Sequence, residues 1–280
     1  MNPVLAQAWR GDTVESAHAG SVAVVDADGG VLVSLGDIDR PVFPRSAVKG
    51  LQALPLVASG AADRLGLTDD ELALACASHN GEPAHVRTAQ AMLAKAGVDA
   101  GVLECGTHWP ALDTAARALA AQGEAASALH NNCSGKHAGF VCVACALLEG
   151  GLGLREYVRG YVAAEHPVMR EVGAALQAAT GFDLAEAPRG TDGCSIPTYA
   201  IPLRRLALAF ARFGTGVGLS EGHARAAQRL RSAVVASPFM VAGSGRFDTR
   251  VMERLGERVF CKVGAEGVYC AALPARGLGV

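Results

Sequence analysis

Strand-forming segments occupy the two ends of this sequence, and helical patterns fill the middle. Near the start, Ser21 to Asp26 (SVAVVD) and Val31 to Leu35 (VLVSL) are apolar runs separated by Asp28-Gly29-Gly30. Runs of this kind around a Gly-rich turn predict a hairpin. Near the end, Arg258 to Val263 (RVFCKV) and Val268 to Leu273 (VYCAAL) flank Ala265-Glu266-Gly267 and read the same way. Between them, Thr68 can cap a helix through Leu74, and Pro83 can open another through Ala96. Ala138 to Leu148 reads as an apolar helix. Pro167 to Ala179 reads as one stopped by Gly181, and Ser220, with His223 at the third helical position, caps a helix to Ala236. This order predicts one α+β domain over residues 1–280, in which the two hairpins share a sheet and the helices cover it or cluster beside it.

Composition narrows the function classes. With 50% apolar residues in 280, the chain can bury a good-sized core. The formal net charge is −2 and no Lys/Arg cluster stands out, which argues against a nucleic-acid partner. No run reaches the ~18 apolar residues that a membrane span needs. Met1 to Ser16 holds a lone Arg10 and no apolar stretch, so it does not read as a secretory signal. Eight cysteines in that setting predict reduced thiols in a cytoplasm.

Lysine is the informative residue. Of 25 basic residues only four are lysine: Lys49, Lys95, Lys136 and Lys262. Where any cation would serve, the chain uses arginine. Lysine can lose its proton and act as a base or a ligand, which arginine cannot. Lys49 follows Ser46 at the S-x-x-K spacing, in a pattern that reads as helix from Pro44 through Leu56, broken only at Pro55. That puts a hydroxyl and an amine on one helical face, beside N–H groups able to hold an oxyanion. Taken alone, the spacing equally fits a helix start with a solvated lysine. Ser78-His79-Asn80 supplies S-x-N, and Lys262-Val263-Gly264 supplies K-x-G on a strand. Each is weak. The ordered triple is that of serine hydrolases built on S-x-x-K. His79 fits a loop residue as well as a chemical one, and Lys262 fits an edge-strand lysine. Lys95, at the end of the Pro83 helix, fits a charge favoured by the helix dipole.

Lys136 lies in Asn131 to Gly139 (NNCSGKHAG), a loop-like stretch. A phosphate loop fails, because His130 stands five before Gly135 and His137 follows the lysine. A metal fits better: Cys133 is a thiolate candidate, His130, Lys136 and His137 are close, and Cys194 can add a second sulfur. Reduced loop cysteines remain the alternative. Cys142 and Cys145, inside an apolar helix, read as core.

These residues resemble the bacterial L-asparaginases of the rhizobial type, the asparaginase II or class 3 family. The matching stretches are Phe43 to Lys49 (FPRSAVK), Ala77 to Glu82 (ASHNGE), Leu129 to Gly139 (LHNNCSGKHAG), Thr191 to Pro202 (TDGCSIPTYAIP), Met240 to Arg246 (MVAGSGR) and Lys262 to Gly267 (KVGAEG). The resemblance implies a fold similar to class A β-lactamases and serine-dependent glutaminases, and hydrolysis of L-asparagine to L-aspartate and ammonia. It implies two Ser–Lys pairs, Ser46 with Lys49 and Ser78 with Lys262, and a zinc ion on Cys133, Lys136 and Cys194. The expected substrate contacts are Asp192, with Glu266 as a weaker candidate, for the amino group, Arg45 or the zinc region for the carboxylate, and Asn80. A homodimer is the expected assembly. Members of the family typically continue past the last strand with another strand and a closing helix, so the resemblance implies an end at Gly279-Val280 that is either shortened or different. The rival readings are another S-x-x-K amidase (a glutaminase or a β-lactamase-like enzyme) and a zinc-bearing amino-acid-binding domain without catalysis.

Overall fold

The structure, a computed structural model, describes residues 2–148 and 153–280. Strands β1 (Val4–Arg10) and β2 (Thr13–Ala19) form an antiparallel ribbon that is exposed along almost its whole length. Strands β3 (Val22–Asp26) and β4 (Val31–Leu35) are the expected first hairpin. The Asp26 carboxylate closes its turn by accepting the N–H groups of Asp28 and Gly30. Strand β5 (Pro41–Val42) comes next, followed after the central helices by β6 (Arg189–Thr191), β7 (Pro197–Tyr199) and β8 (Ile201–Pro202). β5 pairs with β8 and β6 with β7. The second expected hairpin is β9 (Phe260–Val263) with β10 (Tyr269–Leu273).

The two hairpins do share a sheet, through an element the sequence pattern does not reveal. Strand β11 (Leu278–Gly279) lies between them, giving the antiparallel order β4-β3-β11-β10-β9. Two residues are too few to show a period. Gly279 is required there: a Cβ would collide with the Ala207 carbonyl of the helix Leu203–Thr215, which lies across β3, β10 and β11.

The expected helices form with their signals in place. Asp69–Ala75 begins in a capping box, with Thr68 and Glu71 bonding each other's backbone N–H. Pro83–Lys95 opens on its proline. Pro167–Thr180 ends at Gly181 with φ 59°, and Ser220 caps Glu221–Ala236 through the His223 N–H. Ser134–Leu147 starts earlier than its apolar run suggests, so Lys136 and His137 sit in a helix and not in a loop. This helix is buried on every side from Ser134 to Cys145, among Asp69–Ala75, Pro83–Lys95 and Pro167–Thr180. Gly135 permits that packing, since a Cβ there would strike the Leu74 backbone. Cys142 and Cys145 are core thiols in the same helix, and all eight cysteines are free and buried. Among the described residues, no helix is long and apolar enough to cross a membrane.

Candidate active site

The four lysines divide as their scarcity suggests. Lys49 and Lys262 have no exposed surface and Lys136 keeps 2%. Lys95, the last residue of its helix, instead ties two helices together through Glu71 (Nζ to Oε2 2.6 Å) and the Gly66 carbonyl. Three buried amines among so few lysines indicate chemistry, because a buried ammonium is costly unless paired.

Ser46 lies on a 3-10 turn, Arg45–Val48, and Lys49 opens the first of the short helical segments that follow, Lys49–Gln52 and Leu54–Ala58. The Lys49 amine donates to the Ala77 carbonyl at 2.5 Å and the Asn132 carbonyl at 3.4 Å; the Ser46 hydroxyl is not among its partners. Burial lowers its pKa; Cys133 and Cys194 oppose the shift and the charge of Lys136 adds to it. Ser46 is half-buried and stands toward the surface.

The second pair is formed. Lys262 on β9 places Nζ 3.0 Å from Ser78 Oγ and 2.8 Å from its neighbour's carbonyl, Val263 O. Burial, then the charge of Lys49, lowers its pKa to about 7. The backbone holds Ser78 in place: Ser78 and Asn80 donate N–H groups to Val241 and Ala242. Gly264 brings the two pairs together. A Cβ on it would lie 2.6 Å from the Pro44 carbonyl, so only glycine lets β9 approach the Ser46 turn this closely. The residue therefore makes room for the protein's own backbone. The amides just past Lys262 are also spent, Val263 on the Asp248 carboxylate and Gly264 on the Val268 carbonyl.

Arg45 and Asp192 meet at the mouth of the site, Nε to Oδ1 2.6 Å, linking the Ser46 turn to the Cys194 loop. Burial opposes the Asp192 charge, but Lys136 and Arg45 outweigh it and hold the carboxyl below its ordinary value. Among the described residues, the non-glycine positions at positive φ are Arg45 (51°), Ser195 (75°) and Glu266 (55°). Two of them adjoin Ser46 and Cys194. Strain of about 1–3 kcal/mol at such positions is typical of functional loops. Glu266 is exposed at the turn between β9 and β10.

Asn80 is committed to structure. It donates to Glu82 Oε1 and the Ser244 carbonyl and accepts from Arg246. His79 is buried, accepting the Gly81 N–H at Nδ1 and donating from Nε2 to Ser134 Oγ at 2.9 Å. It joins the Ser78 loop to the Lys136 helix. Two groups escaped the sequence reading. Asp248, in Phe247–Leu255, lies 3.9 Å from Lys262 Nζ, and Arg246 reaches Asn80. No spacing marks either one.

Cys133, Lys136 and Cys194 gather in a buried cluster, with Lys136 Nζ 3.0 Å from Cys194 Sγ. The Cys194 thiol beside it holds the Cys133 pKa below its ordinary value, and the same contact raises that of Cys194. Burial works against the Lys136 charge, but the neighbouring sulfurs outweigh it and raise its pKa. Asp192 Oδ2 is 3.7 Å from Cys194 Sγ. Among the described residues, no three His, Cys, Asp or Glu side chains are placed to share a metal ion. Two sulfurs and an amine are nonetheless a donor set that suits a soft divalent ion, provided the amine gives up its proton. His130 stands apart, bonded to Ser127, and His137 bonds Tyr161.

A buried amine on a serine hydroxyl, with a second buried amine three residues after another serine, in a frame of a five-stranded sheet and clustered helices, makes this a candidate lysine-assisted serine hydrolase. The chain belongs to the L-asparaginase II family, whose family model matches residues 6–280. Membership supports an amidohydrolase of asparaginase type acting on a small molecule. No curated protein matches the chain.

Proposed function

We propose that the protein hydrolyses L-asparagine to L-aspartate and ammonia with Ser46, Lys49, Ser78 and Lys262. The reading takes the chain as one domain with the fold of class A β-lactamases and serine-dependent glutaminases, at work in the cytoplasm as a homodimer. The observation that carries it is the convergence of two fully buried amines, one 3.0 Å from Ser78 Oγ and the other just after the turn of Ser46, in a chain of this family.

Ser46 is the nucleophile because it is the more open serine, whereas Ser78 is buried and already bonded to Lys262. A serine hydroxyl attacks only when a base takes its proton. Lys49, whose charged form is disfavoured by burial, is that base. A neutral amine that gives two N–H bonds to carbonyls keeps its lone pair for a third direction. The substrate's ammonium goes to Asp192 and its carboxylate to Arg45. In the structure these two groups bond each other, so the zwitterion replaces an existing ion pair. Ser46 Oγ adds to the carboxamide carbon, and the oxyanion meets the first-turn N–H of Ser46. As the C–N bond breaks, a proton passes from Lys262 through Ser78 to the departing nitrogen. The proton taken from Ser46 passes on from Lys49 to Lys262, which restores both amines; water deprotonated by Lys49 then releases aspartate, and the Ser46 oxygen takes that proton back. Zinc, when bound by Cys133, Lys136 and Cys194, would stiffen this wall and help position the substrate.

Ammonia release from asparagine and glutamine, with nitrocefin hydrolysis in parallel and each run with and without chelator, tests the reading. Ammonia from asparagine well above that from glutamine supports it. Nitrocefin turnover, or asparagine binding without ammonia, overturns it.

A further inference from the structure

We propose that Asp248 is the positioning residue for Lys262: its carboxylate, clamped between β9 and β10, supplies the counter-charge that holds this amine on Ser78. The inference rests on the asparaginase reading and deepens it.

Asp248 keeps 2% of its surface and sits in the first turn of Phe247–Leu255, where the helix N-terminus favours negative charge. Oδ2 accepts the Val263 N–H at 3.0 Å and Oδ1 accepts the Tyr269 hydroxyl at 2.9 Å. Val263 and Tyr269 are opposite partners in the β9–β10 ladder. The carboxylate is thus fixed by both strands at once. The oxygen bonded to Val263 is also the one 3.9 Å from Lys262 Nζ. Among the described residues, Lys262 is the one basic side chain within ion-pair distance of Asp248.

Other charges around Lys262 make this contact matter. Lys49 and Arg246 both oppose its positive form, while Cys133 on the facing helix favours it. Cys76 and Cys270 face it as well, and burial raises both thiols to about 12, so they stay neutral. Cys261 and Tyr269, around the carboxylate, are likewise held in their neutral forms by burial. Among the described residues, Asp248 is therefore the one carboxylate within ion-pair distance of the amine. It lies on neither serine, so its effect reaches the substrate only through Lys262.

A plain structural staple would need the two hydrogen bonds but not the charge, and Asp248→Asn separates the cases. Its amide can still accept from Val263 and can donate to the tyrosine oxygen. The test is an NMR titration of protein labelled with 13C at lysine Cε, where four lysines make assignment practical. In the wild type Lys262 should titrate near 7. In Asp248→Asn its midpoint should fall by about one unit or more, as expected for loss of an opposite charge within ~4–6 Å. The Lys262 limb of the kcat/KM profile should shift with it, while KM barely changes. A folded Asp248→Asn with an unmoved midpoint overturns the proposal. If that variant does not fold, the wild type decides: the 13C carboxyl signal of Asp248 must step at the Lys262 midpoint, and a flat signal refutes the coupling. The NMR readings need no turnover, so they stand even if asparagine proves not to be the substrate.

Discussion

Gly264→Ala should separate the two proposed Ser–Lys pairs without touching any of their side chains. The added Cβ would lie 2.6 Å from the Pro44 carbonyl, about 0.8 Å inside ordinary contact. Val268 closes the other side, with its Cβ at 3.1 Å and its carbonyl at 3.2 Å, so β9 cannot simply slide away. The Pro44 carbonyl also accepts the Ala47 N–H that shapes the Ser46 turn. Relief of the clash must therefore move that turn. Overpacking of this kind costs roughly 1–3 kcal/mol of stability, a fall of several degrees in Tm for a chain of this size. A misplacement approaching ~1 Å costs on the order of 10²-fold in rate. Ammonia release from asparagine should drop about a hundredfold, with near-UV circular dichroism confirming an intact fold. A folded variant within about threefold of wild-type kcat/KM would show that the approach of β9 to the Ser46 turn has no part in the chemistry.

Cys194→Ser should lower the zinc bound per chain in metal analysis, and unchanged stoichiometry would remove Cys194 as a ligand. Lys262, at about 7 in the fold, sits below the ordinary lysine value of ~10.4. Between those values the unfolded chain holds a proton that the folded chain has released, so stability gains as pH rises, by up to roughly 1.4 kcal/mol per unit. Denaturant titrations at pH 7 and 8.5 should therefore show wild type gaining on Lys262→Met as pH rises, and parallel curves would refute the depressed lysine. Sedimentation should find a homodimer that depends on the ribbon β1–β2. This ribbon exposes Val4, Leu5, Trp9 and Val14, and a lone two-stranded hairpin is marginal in water. A monomeric wild type, or a dimer unchanged by Trp9→Arg with Leu5→Glu, would contradict that.

Helix ends were the most legible part of the fold, because Thr68, Pro83, Gly181 and Ser220 act locally and need no distant partner. What stayed hidden depends on contacts far along the chain. Strand β11 is defined by the neighbours it joins, and the ribbon β1–β2 has no buried face to impose a period. The same division runs through the site. The rarity of lysine pointed to Lys49, Lys136 and Lys262, and all three are buried. Asn80 looked like a substrate contact, but its polar atoms are taken by Glu82, Ser244 and Arg246. Asp248 is an ordinary acidic residue in a helical segment, and only the pairing of β9 with β10 shows what it faces. The bond between Arg45 and Asp192 spans residues far apart in sequence, so no local pattern could reveal it.

The central claim is that a buried, uncharged amine activates serine, and replacing that amine with an apolar group of similar shape tests it most directly. Lys49→Met should keep the fold and lose ammonia release from asparagine by about a hundredfold or more, the range a general base contributes. A folded Lys49→Met that releases ammonia at close to the wild-type rate would contradict the account.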